Sequence, residues 1–263
     1  MYGNFRLSRI LGREKGVIIV AMDHGNFAGP MVGIVSIGET IRRIINEKFN
    51  AIILCPGMAK LYADLIGTHG KSLILRVDGA RTIYGKGVTR QITEIEDALR
   101  IGADAVIAMG YIGGEEEGES LETLSEIALS CREWNVPLLA EMLPAPEIQN
   151  KYDLEYIKVA ARVGAELGAD MIKTYYTGSI ETFRKVVEGC PVPIVIAGGP
   201  RMDNERKVLE MVEGAIKAGA VGVAFGRNIW QHKNPSGMIR AIGRIVYENA
   251  TVDEALNELN LNR

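Results

Sequence analysis

Residues 17–30 read VIIVAMDHGNFAGP, an unbroken apolar run followed by a polar turn. Continuous rather than alternating hydrophobicity predicts a strand buried on both faces, as in a parallel sheet covered by helices. A doubly wound nucleotide-binding sheet typically has a glycine-rich GxGxxG turn after its first strand. The turn here reads DHGNF instead, which favours the other common parallel architecture, the closed barrel.

The same pattern recurs along the chain of 263 residues. Seven further apolar runs of strand length lie at residues 51–55, 72–77, 103–109, 136–142, 170–175, 192–197 and 220–225. Segments with helical periodicity separate the runs, and we expect helices to begin at Ser36, Thr93, Asp153 and Asn204. Eight strands that alternate with eight helices predict a single (β/α)8 TIM barrel over residues 1–263, with a short N-terminal extension of about residues 1–15.

Composition excludes several classes of protein. The 30 Lys and Arg residues nearly balance the 33 Asp and Glu residues, and no basic stripe is present, so nucleic acid is not an expected partner. No uncharged apolar run reaches the ~18 residues of a membrane span, and the first 16 residues lack the apolar centre of a signal peptide. Three widely spaced cysteines without a CxxC motif predict a reduced, cytoplasmic protein.

A metal centre or other cofactor is not expected. The only histidines are His24, His69 and His232, and neither HxH nor HExxH spacing occurs. His69 precedes the third apolar run, which would place it at the end of the barrel opposite an active site. A metal-dependent barrel enzyme therefore remains only a minor alternative.

A lysine interrupts the sixth apolar run, DMIKTY, at position 173. Lysine is seldom fully buried. If Lys173 points into a barrel, the low dielectric favours an uncharged amine, which can attack a carbonyl to form a Schiff base. The alternative is a structural ion pair with Asp23 or Glu141, and the position alone leaves both interpretations open.

Active sites of TIM barrels lie at the C-terminal ends of the strands. Asp23 ends the first run and Glu141 lies in the fifth, so either carboxylate could transfer protons during imine chemistry. Asp23 could instead cap the following turn, and Glu141 could simply pair with Lys173. Both alternatives are structural rather than catalytic.

Two glycine-containing turns follow the last two runs, AGGP with Gly198 and Gly199, and FGRN with Gly226 and Arg227. Many barrels bind a phosphate at these two strand ends. Glycine allows main-chain N–H groups to approach an anion, and arginine adds a forked, charged contact. The alternative is a pair of tight turns with a surface arginine.

Four motifs in order resemble the archaeal-type class I fructose-bisphosphate aldolase family, namely MDHGNFAGP, IKTYYTG, GCPVPIVIAGGP and GVAFGRNIWQH. This family also includes 2-amino-3,7-dideoxy-D-threo-hept-6-ulosonate synthase and 3-hydroxy-5-phosphonooxypentane-2,4-dione thiolase. The resemblance implies a metal-independent enzyme that forms a Schiff base with a phosphorylated keto-sugar and assembles as a ring-shaped homo-oligomer, often a decamer.

The resemblance also implies roles for individual residues. Lys173 would be the Schiff-base lysine and Asp23 the acid/base group. The sugar-phosphate site would comprise Asp23, His24, Gly25, Asn26 and Phe27, and the phosphate would be held by Gly198, Gly199, Gly226 and Arg227.

One position departs from the family pattern. The aldolase and the heptulosonate synthase have a tyrosine proton donor after the fifth strand, in a YPRG-like motif, whereas the matching stretch here is EMLPAP with Leu143 at that place. Leucine cannot donate a proton, so Glu141, Tyr111 and Tyr176 become candidate donors. The same departure keeps three alternatives open: the thiolase, the synthase and a barrel that binds sugar phosphates without catalysis.

Overall fold

The computed structural model describes residues 4–12 and 16–261 and contains a closed barrel of eight parallel strands, as the sequence predicts. Each strand pairs with its neighbours along the chain, and the last strand pairs with the first. The strands are β1 (Val17–Ala21), β2 (Ala51–Leu54), β3 (Ser72–Arg76), β4 (Ala105–Ile112), β5 (Leu138–Pro144), β6 (Met171–Tyr175), β7 (Ile194–Ala197) and β8 (Gly222–Phe225).

Thirteen helices lie within the described residues. They are α1 (Phe5–Leu11), α2 (Gly25–Ala28), α3 (Ile37–Ile44), α4 (Pro56–Leu61), α5 (Ala63–Gly67), α6 (Ile95–Ile101), α7 (Glu117–Glu133), α8 (Leu154–Glu166), α9 (Ile180–Gly189), α10 (Glu205–Ala218), α11 (Arg227–Trp230), α12 (Pro235–Glu248) and α13 (Val252–Asn260). None of these helices has the length and apolar character needed to cross a bilayer.

Three of the four predicted helix starts are confirmed. The side chains of Asp153 and Asn204 accept hydrogen bonds from main-chain N–H groups in the first turns of α8 and α10, and Ser36 occupies the N-cap position of α3. The predicted helix start at Thr93 is wrong, because α6 begins at Ile95 with Glu94 as its N-cap. The N-cap is displaced by one residue, which is within the usual uncertainty of a helix end.

Strand side chains alternate between two separate cores. One face of each strand points outward and packs against the helices, in a large buried layer. The other face fills the barrel interior with small and branched side chains, including Ile19, Ile53, Ile74 and Val195. Ile10 of α1 belongs to this interior cluster and is 1% exposed, so α1 closes the N-terminal end of the barrel.

At the opposite end, the segment after β3 forms a small hairpin through an antiparallel pairing of Asp78–Gly79 with Arg90–Gln91. The side-chain amide of Asn26 donates a hydrogen bond to the main-chain oxygen of Asp78 at 3.2 Å, and the N–H of Ile83 donates to the main-chain oxygen of Phe27 at 2.9 Å. The loops after β1 and β3 are therefore tied together above the C-terminal end of the barrel.

Candidate active site

The interior face of the barrel changes from apolar to charged at its C-terminal end. Strand alternation brings Asp23, Arg76, Asp78, Glu141 and Lys173 onto this face, and each is between 1% and 7% exposed. Charged side chains are almost never buried without partners. The cluster therefore identifies the C-terminal end as the part of the barrel where a functional requirement overrides simple packing.

The five charged groups form one connected network. Lys173 Nζ lies 2.7 Å from Glu141 Oε1, and the other oxygen of Glu141 accepts a hydrogen bond from Arg76 Nη2. Arg76 Nε donates to Asp23 Oδ2 at 2.8 Å, and Arg76 Nη1 donates to Asp78 Oδ1 at 3.0 Å. Of the two partners that the sequence leaves open for Lys173, the structure therefore selects Glu141.

The network fixes the charge of its carboxylates. Burial by itself would raise the pKa of Asp23, but the charges of Arg76, His24 and Lys173 outweigh it and hold that pKa well below its usual range. Burial likewise opposes ionisation of Glu141, yet Lys173 and Arg76 lower its pKa below the ordinary value. Both groups are therefore carboxylates near neutral pH, able to accept a proton but holding none to donate.

A narrow cleft of about 50 Å³ opens beside the lysine. Its lining consists of Ala21, His24, Glu141, Lys173, Tyr175, Ala197, Gly198, Gly199, Ala224, Gly226 and Arg227. The cleft shares Ala197, Gly198 and Gly199 with a wider groove of about 670 Å³. One cleft at the C-terminal end of the barrel therefore brings together an amine, a carboxylate, an imidazole, a phenol and a guanidinium group.

The two glycine-containing turns lie side by side in this cleft. Gly199 has a φ of 65°, which favours glycine, and a Cβ on Gly226 would lie only 2.7 Å from the main-chain oxygen of Ala21. Arg227 Nε is buried and makes no hydrogen bond to any of the described residues. An unpaired buried donor is costly, and an anion in the cleft is the kind of partner that would satisfy it.

Asn228 joins these two turns, and the sequence analysis did not identify it. Its side-chain nitrogen donates to the main-chain oxygen of Gly198 at 2.7 Å, while its oxygen accepts from the N–H of Met202 at 2.8 Å. Asn228 is 3% exposed. In the sequence, Asn228 is only a polar residue after the arginine of the FGRN turn, which is equally typical of an ordinary turn.

The DHGNF turn contributes one residue to the cleft. His24 lines it, and its ring centroid lies 5.6 Å from that of Phe27. Gly25, Asn26 and Phe27 are not among the lining residues, because Asn26 is turned toward the β3 hairpin and Phe27 is 43% exposed. The structure thus brings His24 together with Lys173 and leaves the other three at the rim.

Leu143 lies on the interior face of β5 at the C-terminal end of the barrel and is 8% exposed. The family resemblance leads us to expect a tyrosine proton donor at this position. Tyr111 on β4 is the direct neighbour of Leu143 in the parallel pairing. Tyr176 packs on the helix side, with its ring 5.3 Å from that of Phe183, and it lines the wider groove rather than the cleft. The tyrosine that lines the cleft is Tyr175, two residues after Lys173 on the same face of β6.

Arg76 and Asp78 are the other residues that the sequence analysis did not assign to the site. Arg76 ends the apolar run SLILR of β3, which is the same signal that drew attention to Lys173 on β6. The two oxygens of Asp78 accept from Arg76 and from the main-chain N–H of Met109 at 3.1 Å. The same sequence signal, a charge at the end of a buried strand, therefore marks Arg76 as well as Lys173.

The cysteine thiols show no sign of activation as nucleophiles. Cys55, Cys131 and Cys190 are all free, and burial raises the thiol pKa of Cys55 and of Cys131 to about 12, so neither is a ready nucleophile. His232 Nε2 lies 2.7 Å from Glu205 Oε1, outside the cleft. Within residues 4–12 and 16–261, no group of three or more His, Cys, Asp or Glu side chains is arranged to hold a metal ion.

Known proteins match this chain over most of its length. The family described as DeoC/LacD family aldolase matches residues 17–232. The chain is 35% identical over 252 residues to the 3-hydroxy-5-phosphonooxypentane-2,4-dione thiolase of Enterobacter sp. strain 638, covering 95% of this chain and 83% of that protein. It is 32% identical over 252 residues to the 2-amino-4,5-dihydroxy-6-oxo-7-(phosphonooxy)heptanoate synthase of Streptomyces griseus, covering 94% and 91%.

A solved structure gives the same fold. An archaeal fructose-1,6-bisphosphate aldolase, whose catalytic lysine is covalently bound to the carbinolamine intermediate of the substrate, superimposes with a TM-score of 0.84 at 31% identity, covering 92% of this chain and 98% of that chain. The barrel and its strand order are therefore shared with an enzyme that works through a lysine adduct.

Proposed function

Since the chain belongs to the DeoC/LacD aldolase family, we propose that it makes or breaks a carbon–carbon bond in a phosphorylated keto-sugar through a Schiff base on Lys173. The observation that carries this proposal is the position of Lys173, 4% exposed and paired with Glu141 in a cleft that also holds the glycine turns and Arg227. The likeness to an aldolase with a lysine-bound carbinolamine supports the same chemistry.

The lysine network supplies the proton transfers that imine formation requires. Lys173 attacks as an uncharged amine, so its proton must leave first, and Glu141 Oε1 at 2.7 Å is the acceptor. Glu141 then returns the proton to the carbinolamine oxygen, which leaves as water and gives an iminium ion. Arg76 holds Glu141 in place for both transfers.

Asp23 is proposed as the base that acts on carbon. Because its pKa is held well below the usual range, it is ionised when the substrate binds. Asp23 takes a proton from the carbon next to the iminium, and the electron pair of that C–H bond forms the enamine. In synthesis the enamine carbon bonds to the second carbonyl compound, and in cleavage that carbon–carbon bond breaks. Gly198, Gly199, Gly226 and Arg227 are proposed to hold the phosphate, with His24 beside them.

Borohydride reduction tests the nucleophile. Wild-type protein incubated with dihydroxyacetone phosphate and then reduced is expected to carry one adduct, at Lys173 in the peptide mass spectrum. Lys71 is the internal control, because burial lowers its pKa while its Nζ donates to the main-chain oxygens of Glu47 and Phe49 at the other end of the barrel. Labelling of Lys71 rather than Lys173, or no adduct with any phosphorylated ketone, would refute the proposal.

A Lys173→Met variant separates chemistry from binding. It is expected to fold with the wild-type circular dichroism spectrum and to lose both the adduct and turnover, because methionine keeps the apolar stem but has no amine. Turnover by this variant would contradict a lysine imine. Sugar-phosphate binding without turnover or adduct by the wild-type protein would instead favour the non-catalytic barrel.

The reaction class within the family needs its own comparison. The absence of a tyrosine at position 143 and the 35% identity to the phospho-dione thiolase favour that enzyme as the second candidate. Aldol cleavage of fructose 1,6-bisphosphate, transfer to aspartate semialdehyde and CoA-dependent thiolysis should be assayed side by side. EDTA belongs in each assay, because the Schiff-base mechanism expects activity to survive it.

We also propose a cytoplasmic homo-oligomer, in line with the family resemblance. Several large apolar side chains are exposed on the segments after β1, β2 and β3, namely Val32, Val35, Leu61, Ile83 and Tyr84. The segments follow three adjacent strands of the barrel, which favours a shared contact surface between copies of the chain. Native mass spectrometry is expected to give a ring of several subunits, and a monomer at micromolar concentration would refute it.

A further inference from the structure

We propose that Tyr175 is the catalytic residue that gives a proton to the carbonyl oxygen of the second substrate as the new carbon–carbon bond forms. This inference rests on the proposed Schiff-base function of Lys173. It assigns the one proton transfer that the charged network beneath the lysine cannot perform.

Strand geometry sets Tyr175 directly above the nucleophile. Lys173 and Tyr175 are two residues apart on β6, so their side chains leave the same face of the strand. On the neighbouring strand β5, Glu141 pairs with Lys173 and Leu143 follows two residues later on the same face. The layer above the lysine therefore has a hydrocarbon on β5 and a phenol on β6.

The remaining groups in the cleft are unsuited to donate this proton. Glu141 is held as a carboxylate by Lys173 and Arg76. Arg227 also lines the cleft, but a guanidinium group does not serve as a proton donor in general acid catalysis. The imidazole of His24 lies toward the phosphate turns, since a Cβ on Gly226 would lie 2.7 Å from its Cε1 atom. The phenol is the neutral acid that remains on the lysine side.

Tyr175 is held in place but its hydroxyl is free. Its ring packs against the ring of Tyr152 with centroids 5.3 Å apart, and the hydroxyl has no hydrogen-bond partner among residues 4–12 and 16–261. Burial, followed by the charge of Glu141, raises its pKa, so the phenol is fully protonated near neutral pH. The Tyr175 hydroxyl is therefore both positioned and protonated for donation to the substrate.

The proposed step is balanced. The enamine carbon on Lys173 attacks the aldehyde carbon, and its electron pair forms the new carbon–carbon bond while the nitrogen becomes an iminium. The aldehyde π pair moves onto oxygen, which takes the phenol proton and becomes a hydroxyl. The Tyr175 phenolate, with Arg227 among the charges that favour it, recovers a proton from water. In cleavage the same atoms move in reverse.

A Tyr175→Phe variant tests the step, because it removes only the hydroxyl. With dihydroxyacetone phosphate it is expected to keep the borohydride adduct at Lys173 and the exchange of the C3 proton for deuterium, seen by NMR. Condensation with glyceraldehyde 3-phosphate, glycolaldehyde or aspartate semialdehyde should fall about 10²–10⁴-fold, the usual value of a general acid. Loss of exchange together with condensation, or retention of both, would overturn the proposal.

Two controls complete the experiment. Tyr176→Phe alters the adjacent tyrosine, which packs against Phe183 on the helix side, and should leave adduct, exchange and condensation unchanged. If Tyr111→Phe abolishes condensation while Tyr175→Phe does not, the donor is on β4 and the proposal is wrong. If the wild-type protein forms no adduct, the Schiff-base function itself is refuted. If the wild-type protein forms the adduct but condenses none of the aldehydes, only the role of Tyr175 is refuted.

Discussion

At the scale of single residues, Arg76 is the group on which the buried charges depend. Its guanidinium contacts three carboxylates, Asp23, Asp78 and Glu141, and no lysine could serve all three with the same fork. Replacing it by methionine removes the cation that contacts all three carboxylates and leaves Lys173 beside Glu141 and His24 beside Asp23. We expect Arg76→Met to lower the free energy of unfolding by about 3–5 kcal/mol in urea denaturation, the usual cost of breaking a buried ion pair.

Acid provides the control for this prediction. Asp23 and Glu141 have folded-state pKa values below their ordinary 3.8 and 4.5, so the stability they contribute is present above those values and is lost as the pH falls below them. The gap between wild type and variant should therefore narrow below about pH 4.5 and be largest near neutrality. Arg90→Met removes an exposed pair with Glu119 and should cost at most about 1 kcal/mol.

How much of the site could be predicted from the sequence depends on what each residue does. Lys173 and Glu141 were identifiable because a charge within an apolar run is visible without any structure. Tyr175 and Asn228 were not, because an aromatic or amide side chain in those positions is equally typical of a core or a turn. The role of Tyr175 follows from the strand face that it occupies, and the role of Asn228 follows from the two turns that it connects. Both features depend on long-range packing.

At the scale of strands and helices, more of the structure could be predicted from the sequence than at the scale of single residues. All eight barrel strands overlap the eight predicted apolar runs, and two of them, β4 and β5, extend two or three residues beyond their runs. The agreement arises because burial on both faces leaves a continuous hydrophobic signal. Helix ends were less accurate, as Thr93 illustrates, since a single hydroxyl near a helix start competes with its neighbours for the cap. The closing contact between β1 and β8 had no sequence signal other than the strand count.

Closure of the barrel depends on a glycine in β8. Gly222 pairs with Val17 of β1, and a Cβ there would overlap the main-chain oxygen and carbon of Val17. We expect Gly222→Ala to destabilise the protein by at least ~1–3 kcal/mol in thermal or urea unfolding, because main chain cannot shift as a side chain can.

The matched control is a glycine with room beside it. Gly243 lies in the interior of α12, where a Cβ would make an ordinary contact of 3.5 Å with the ring of Tyr247. Gly243→Ala should raise stability by about 0.5–1 kcal/mol, because alanine is the better helix former. Equal effects of the two substitutions would show that β1–β8 contact does not limit stability.

At the scale of the whole molecule, the two ends of the barrel have different tasks. The charged network and the cleft occupy the C-terminal end, whereas α1 covers the N-terminal end. Two contacts hold α1 there: Arg6 Nη1 donates to the main-chain oxygen of Ala103 at 3.0 Å, and Arg9 forms an ion pair with Asp104 at 3.0 Å. TIM barrels generally separate function from stability in this way. We infer that α1 has a structural role in closing this end of the barrel.

Ile10 tests this division of tasks. It is 1% exposed inside the barrel cluster, so Ile10→Ala should lower the free energy of unfolding by about 2–5 kcal/mol while imine trapping at Lys173 stays unchanged below the unfolding transition. Phe5 on the same helix is 86% exposed, and Phe5→Ala should change stability by less than about 0.5 kcal/mol. If Ile10→Ala instead reduced trapping at full folding, the two ends would be coupled, and α1 would have to be regarded as part of the active-site scaffold.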